Sequence, residues 1–181
     1  MSKCFFIVVL ILTAGSAVGQ DATTSRQIQE ALMPLPESLR DGATVVLDAV
    51  PSKRVVLRKG TNGLICRANT SKLMFNVFCH THDLDVFYTR FAQLALEGKS
   101  NSEIRDTLNA EVASGKLKSP PAGATVYEMS GDSSESSLPL MAIYLPYATS
   151  ESTGLPSDRD HYRPWLMWAG TAFAHVMIPG K

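Results

Sequence analysis

The spacing of hydrophobic residues changes twice along this chain, and that confines it to a fold mixing strands with helices. From residue 43 to residue 80 the apolar side chains come in four short, Val-rich runs: Ala43–Val50, Arg54–Lys59, Gly63–Arg67 and Phe75–His80. Pro51-Ser52 and Gly60-Thr61-Asn62-Gly63 supply turn chemistry between them. Such runs predict strands. Connections this short predict antiparallel neighbours in a meander, because a parallel pair requires a longer crossover.

The period then lengthens. Leu84, Phe87, Tyr88, Phe91, Leu94 and Ala95 recur at steps of three and four, a wide apolar stripe on a helix. Asp83 is its expected cap and Gly98 its expected stop. Ser100-Asn101-Ser102-Glu103 reads as a capping box, in which the Ser and Glu side chains satisfy orphaned backbone donors. It opens a second helix with a narrower stripe of Ile104, Leu108 and Val112, ended by Gly115. After Pro120-Pro121 the short runs return as Thr125–Met129, Leu140–Tyr144, Trp165–Trp168 and Phe173–Ile178, with the polar Ser130–Ser137 as a solvated connector. The last two runs are apolar on both alternations and predict central strands covered on both sides. A short helix over Arg26–Met33, stopped by Pro34 and Pro36, precedes all of this. The expectation is an α+β fold: a mostly antiparallel sheet of about eight strands with a central pair of helices on one face.

The N-terminus speaks to destination. Lys3 precedes an apolar run of eight residues, Phe5–Leu12, and Ala17-Val18-Gly19 puts small side chains where a signal peptidase inspects. This predicts a secretory leader over residues 1–19, cut before Gln20, and a single domain over residues 20–181. A membrane anchor is the rival reading, but a spanning helix needs about 20 apolar residues, and Thr13, Gly15 and Ser16 interrupt this one. Without Cys4 an even pair remains, Cys66 and Cys79. In an oxidising compartment such a pair predicts a disulfide. Folding the chain about Asn69-Thr70-Ser71-Lys72 sets the two opposite each other. A catalytic thiol, a metal-ligating thiolate, or two free buried cysteines are the other readings. Seventeen basic residues balance 17 acidic ones. The electrostatic footprint of a nucleic-acid binder is missing, and no second apolar stretch is long enough to cross a bilayer.

No motif fixes an activity. His80 and His82, two apart at a strand end, share a face if the strand continues. With Asp83 or Asp85 and a distant His161 or His175 they would offer nitrogen and oxygen ligands suited to zinc. The competing reading is a polar strand end whose histidines cap or hydrogen-bond. His175, among Phe173, Ala174, Val176 and Met177, is either a buried core histidine kept neutral by desolvation or a general base beside a pocket. The polar stretch from Thr149 to Arg163 offers Asp158, Arg159, Asp160, His161, Tyr162 and Arg163 for a charged ligand, or else a loop that pairs internally. Tyr144-Leu145-Pro146-Tyr147 with Trp165 and Trp168 would build an aromatic groove or simply fill core. Gly98-Lys99-Ser100 is no phosphate loop, because Gln93 stands where its first glycine belongs. Asn69-Thr70-Ser71 fits a glycosylation acceptor in a eukaryotic host only.

Three segments, Leu35–Val46 (LPESLRDGATVV), Gly60–Cys66 (GTNGLIC) and Pro164–Met177 (PWLMWAGTAFAHVM), following a leader, resemble a group of exported bacterial proteins of uncharacterised function. The resemblance implies a periplasmic or secreted location and no particular activity. The leading expectation is an exported domain with a binding or structural role outside the cytoplasm, taking an unknown ligand or protein partner and no cofactor. The alternatives are a small exported hydrolase or zinc-dependent enzyme using His175 or His161 with His80 and His82, and a redox protein using Cys66 and Cys79.

Overall fold

A computed structural model describes residues 17–49, 53–70 and 74–180. Residues 1–16, which hold most of the expected leader, lie outside the described residues. The helices are α1 (Ala17–Leu32), α2 (Glu37–Arg40), α3 (Asp85–Leu96), α4 (Asn101–Ala113) and α5 (Ser150–Thr153). The strands are β1 (Thr44–Ala49), β2 (Lys53–Arg58), β3 (Leu64–Arg67), β4 (Phe75–Thr81), β5 (Thr125–Gly131), β6 (Leu138–Tyr144), β7 (Trp165–Met167) and β8 (His175–Pro179). All eight strands form one sheet in the order β2-β1-β3-β4-β5-β6-β8-β7. The class is α+β, with a mixed, mostly antiparallel sheet.

The expected meander fails at one place. β1 and β3 run parallel, side by side, with β2 outside them. The return strand β2 is itself the crossover, so no long connection is needed. The β2–β3 link must then pass hard against the start of β1. A side chain at Gly60 would lie 2.2 Å from the Gly42 carbonyl oxygen, so only glycine fits. Thr61 and Asn62 donate their backbone N–H groups to that same oxygen. A second correction concerns β7, which is the edge strand rather than a central one. Its outer side is occupied by the preceding loop, where Leu166 donates its N–H to the Pro156 carbonyl. The edge is thereby paired, while Trp165 packs into the core beneath α3 and α4 and Met167 stays exposed.

Strand alternation sorts the sheet into two faces. Val77 and Cys79 on β4, with Cys66 on β3 and Met129 on β5, point one way. Ala31, Leu32 and Leu35, from the end of α1 and just after it, pack there with Val45, Leu64 and the cysteines. α1 is longer than the expected Arg26–Met33 and contains the expected cleavage point at Gly19–Gln20 in its first turn. Cys66 and Cys79 stand opposite in register and are joined by a disulfide.

The opposite face carries Val126, Ala142, Tyr144, Met177 and Trp165, covered by Leu84, Phe87 and Leu94 of the α3 region and by Ile104 and Leu108 of α4. The capping box forms as expected: Ser100 accepts from the Glu103 N–H, and the Glu103 carboxylate accepts from the Ser100 N–H. Asp83 does not cap α3. A 3-10 turn, His82–Leu84, intervenes, and Leu84 holds the cap position with no side-chain bond.

Candidate functional site

Two polar constellations lie between the sheet and the α3–α4 pair. The first is a closed charge network. Arg67, buried on β3, donates from Nη1 to Asp48 and from Nη2 to Asp85 Oδ1 at 3.0 Å. Its Nε–H donates to His80 Nε2 at 3.1 Å. Arg54 joins the same two acids, with Nε 3.1 Å from Asp48 and Nη1 2.7 Å from Asp85, and also donates to the Thr89 hydroxyl. Two guanidinium groups thus meet two carboxylates. Burial by itself would raise the Asp85 pKa, but the Arg54 hydrogen bond and the charges of Arg54 and Arg67 outweigh it and hold the carboxyl below its usual range. The network ties β1, β2 and β3 to the first turn of α3.

His80 belongs to that strut. It is wholly buried, and its Nδ1 lies 2.9 Å from the Thr81 carbonyl, so Nδ1 carries the proton and Nε2 is left to accept from Arg67. Burial lowers its pKa to about 4, so the ring is neutral near pH 7. β4 ends at Thr81, and the exposed His82 and Asp83 sit on the 3-10 turn rather than continuing the strand, so His80 and His82 do not share a strand face. His175 stands on β8, three strand spacings from β4, a separation of about 14 Å. Among the described residues no group of three or more His, Cys, Asp or Glu side chains is placed to hold a metal ion.

The second constellation is a groove of about 780 Å³. Phe78, Tyr88, Phe91, Ala95 and Trp168 give it apolar walls, and Asn76, Glu128, Tyr144 and His175 punctuate its floor. Alternation explains the floor: Asn76 and Phe78 on β4, Glu128 on β5, Tyr144 on β6 and His175 on β8 all belong to the sheet face that α3 covers. Phe78 and Tyr88 pack with ring centroids 4.8 Å apart, and the hydroxyls of Tyr88 and Tyr144 meet at 3.2 Å. Burial pushes both phenol pKa values up, so both stay protonated donors. His175 Nδ1 lies 2.7 Å from the Phe173 carbonyl and must donate to it, which fixes Nε2 as an acceptor. Burial lowers its pKa as well. Glu128 Oε1 accepts from Asn76 Nδ2 at 3.2 Å, and burial raises its pKa.

Trp168 closes one end under strain. Its φ is 55°, a left-handed conformation that costs a non-glycine residue about 1–2 kcal/mol. Thr171 holds it, donating from its N–H and its hydroxyl to the Trp168 carbonyl. The indole stands edge-on to His175 at 5.5 Å. Of the expected aromatic set, Tyr144 and Trp168 line the groove, Trp165 is in the core and Tyr147 is exposed.

The loop residues are placed differently. Asp160 accepts from the N–H groups of Tyr162 and Arg163 and from Arg163 Nε at 2.9 Å, an internally paired turn. Asp158, Arg159, His161 and Tyr162 are exposed. Only Arg159 is felt in the groove, where its positive charge acts on Glu128. Sequence reasoning passed over Asn76, Tyr88 and Glu128. The available signal was a lone acid between Tyr127 and Met129, on the same alternation as Val126. No protein-family model, curated protein or solved structure matches the chain.

Proposed function

We propose that this protein is an exported binding domain that takes a small amphipathic ligand in the groove between the sheet and the α3–α4 pair. The observation carrying this reading is the groove itself: its volume is that of a small-molecule site, its walls are aromatic and aliphatic, and a few polar groups converge on its floor. The strained Trp168 at its end fits the same role, since backbone strain gathers at ligand clamps. Export is supported by the Cys66–Cys79 disulfide, which belongs to an oxidising compartment, and by the leader-like N-terminus. Among the described residues no helix is long and apolar enough to cross a membrane.

A neutral apolar fluorophore, N-phenyl-1-naphthylamine, tests the reading. It should bind with one-to-one stoichiometry and quench the tryptophan emission. Ala95→Trp, at an exposed helix position on the groove wall, should weaken it by about tenfold or more, since a bulky side chain fills the space the probe needs. Binding that ignores Ala95→Trp would place the probe elsewhere and refute the groove as the site. N-terminal sequencing from the native host should begin at Gln20; an intact Met1 would count against export.

A further inference from the structure

We infer that the ligand of this groove is an organic cation, an ammonium or guanidinium on an apolar body, seated against Glu128. The inference rests on the groove reading above and deepens it. Charge accounting along the lining carries it. Arg67 is balanced by Asp48 and Asp85. Arg105 lies 3.4 Å from Asp106. His175 is a neutral ring committed to the Phe173 carbonyl. Glu128 differs from all of these: its hydrogen bonds come from neutral groups, the Asn76 amide and the Ser130 hydroxyl, and among the described residues it makes no ion pair. Arg159 influences it through charge alone, without a hydrogen bond.

The surroundings favour the same class of ligand. Phe78 lies on the strand beside Glu128, directly opposite it in register, its ring tilted against that of Tyr88, and both rings already hold one cation, the Arg67 guanidinium 5.9 Å from each centroid. Aromatic faces attract cations through their quadrupole, most strongly where water is displaced. Anionic head groups meet the reverse, a carboxyl that their charge repels. A neutral ligand would cover Glu128 while giving its ionised form no countercharge, leaving the desolvation that already raises its pKa unrelieved. A cation alone converts that cost into an attraction.

Three probes with one tail and different heads decide the matter: decyltrimethylammonium, decanol and decanoate, each below its micelle concentration, titrated calorimetrically into the purified protein. The cation should bind about tenfold or more tighter than the alcohol, and decanoate more weakly than the alcohol. In Glu128→Gln, which keeps the shape of a protonated carboxyl and so its fit, cation and alcohol should bind alike. A wild-type protein that binds decanol as well as the ammonium, or a preference that survives Glu128→Gln, would overturn the cation while leaving the groove in place. Failure of all three probes to bind would bring down the groove reading and the cation with it.

Discussion

The two faces of the sheet solve opposite problems. Against α1 the side chains are mostly aliphatic or sulfur-bearing, joined by Phe75 and Tyr127, and are fastened by a covalent cross-link between adjacent strands. That face has little to do except exclude water. Against α3 and α4 the same strands present Asn76, His80, Glu128, Tyr144 and His175, interleaved with apolar residues. Polar groups in such a place destabilise unless each finds a partner. At the β1–β4 end the protein supplies every partner itself, in the Arg67 network. In the groove it leaves one acid with no charge of opposite sign in contact among the described residues. The contrast separates polarity used as a strut from polarity left open to a ligand.

Removing Arg67 should do the most damage. Arg67→Ala leaves Asp48 and Asp85 to share the single guanidinium of Arg54, so one carboxylate charge goes unbalanced, and takes the donor from His80 Nε2. Losing one partner of a buried ionic cluster costs about 3–5 kcal/mol, read as a shift of the urea midpoint with unchanged slope. A loss below about 1 kcal/mol would mean the network is ornamental. In that case the strut and the groove would no longer differ in kind.

The α1 face should respond next, and differently. Cys66→Ala with Cys79→Ala opens a loop closed across a sequence separation of 13, which removes about 3 kcal/mol of stability on the chain-entropy account. Because the bridge lies on the far side of the sheet, the affinity of the groove for N-phenyl-1-naphthylamine should stay within about twofold at temperatures where the variant is folded. If probe binding fell along with stability, the two faces would be one cooperative device rather than two.

What could be read from the amino acids follows the range of the forces involved. The Cys66–Cys79 hairpin, the stripe of α3 and the capping box of α4 depend on residues a few positions apart, and each stands where local chemistry put it. The parallel β1–β3 pair escaped because its cause is a contact between Gly60 and the backbone at Gly42, eighteen residues earlier in the chain. β7 was misplaced for a related reason: a loop pairs with its outer edge, and no periodicity registers a loop folding back. The site was legible in fragments. Tyr144, Trp168 and His175 stood out as aromatic or titratable residues in apolar runs, whereas Asn76 and Glu128 acquire meaning only when β4 and β5 are set side by side.

Acid sharpens the comparison further, because His80 in the strut and Glu128 in the groove respond to pH with opposite sign. In the unfolded chain His80 takes up a proton near its ordinary pKa of 6.5, and in the fold only near 4. Between those values the unfolded state binds more protons, so stability is complete above pH 6.5 and falls as the pH drops toward 4. At pH 5 the loss from this one group is about 2 kcal/mol. Glu128 works the other way: its folded pKa lies above the ordinary 4.5, so its contribution favours the protonated fold and declines as pH rises through the shifted value. Urea unfolding of the wild type and of His80→Gln, measured at half-unit steps from pH 4 to pH 7, separates the two. His80→Gln lowers stability throughout but should fall less steeply than the wild type between pH 6.5 and 4, keeping the contributions of His175 and Asp85 and the opposing one of Glu128. Parallel curves for the two proteins would mean that His80 titrates alike in the folded and unfolded chains, and the neutral, doubly bonded ring at the heart of the strut would have to be abandoned.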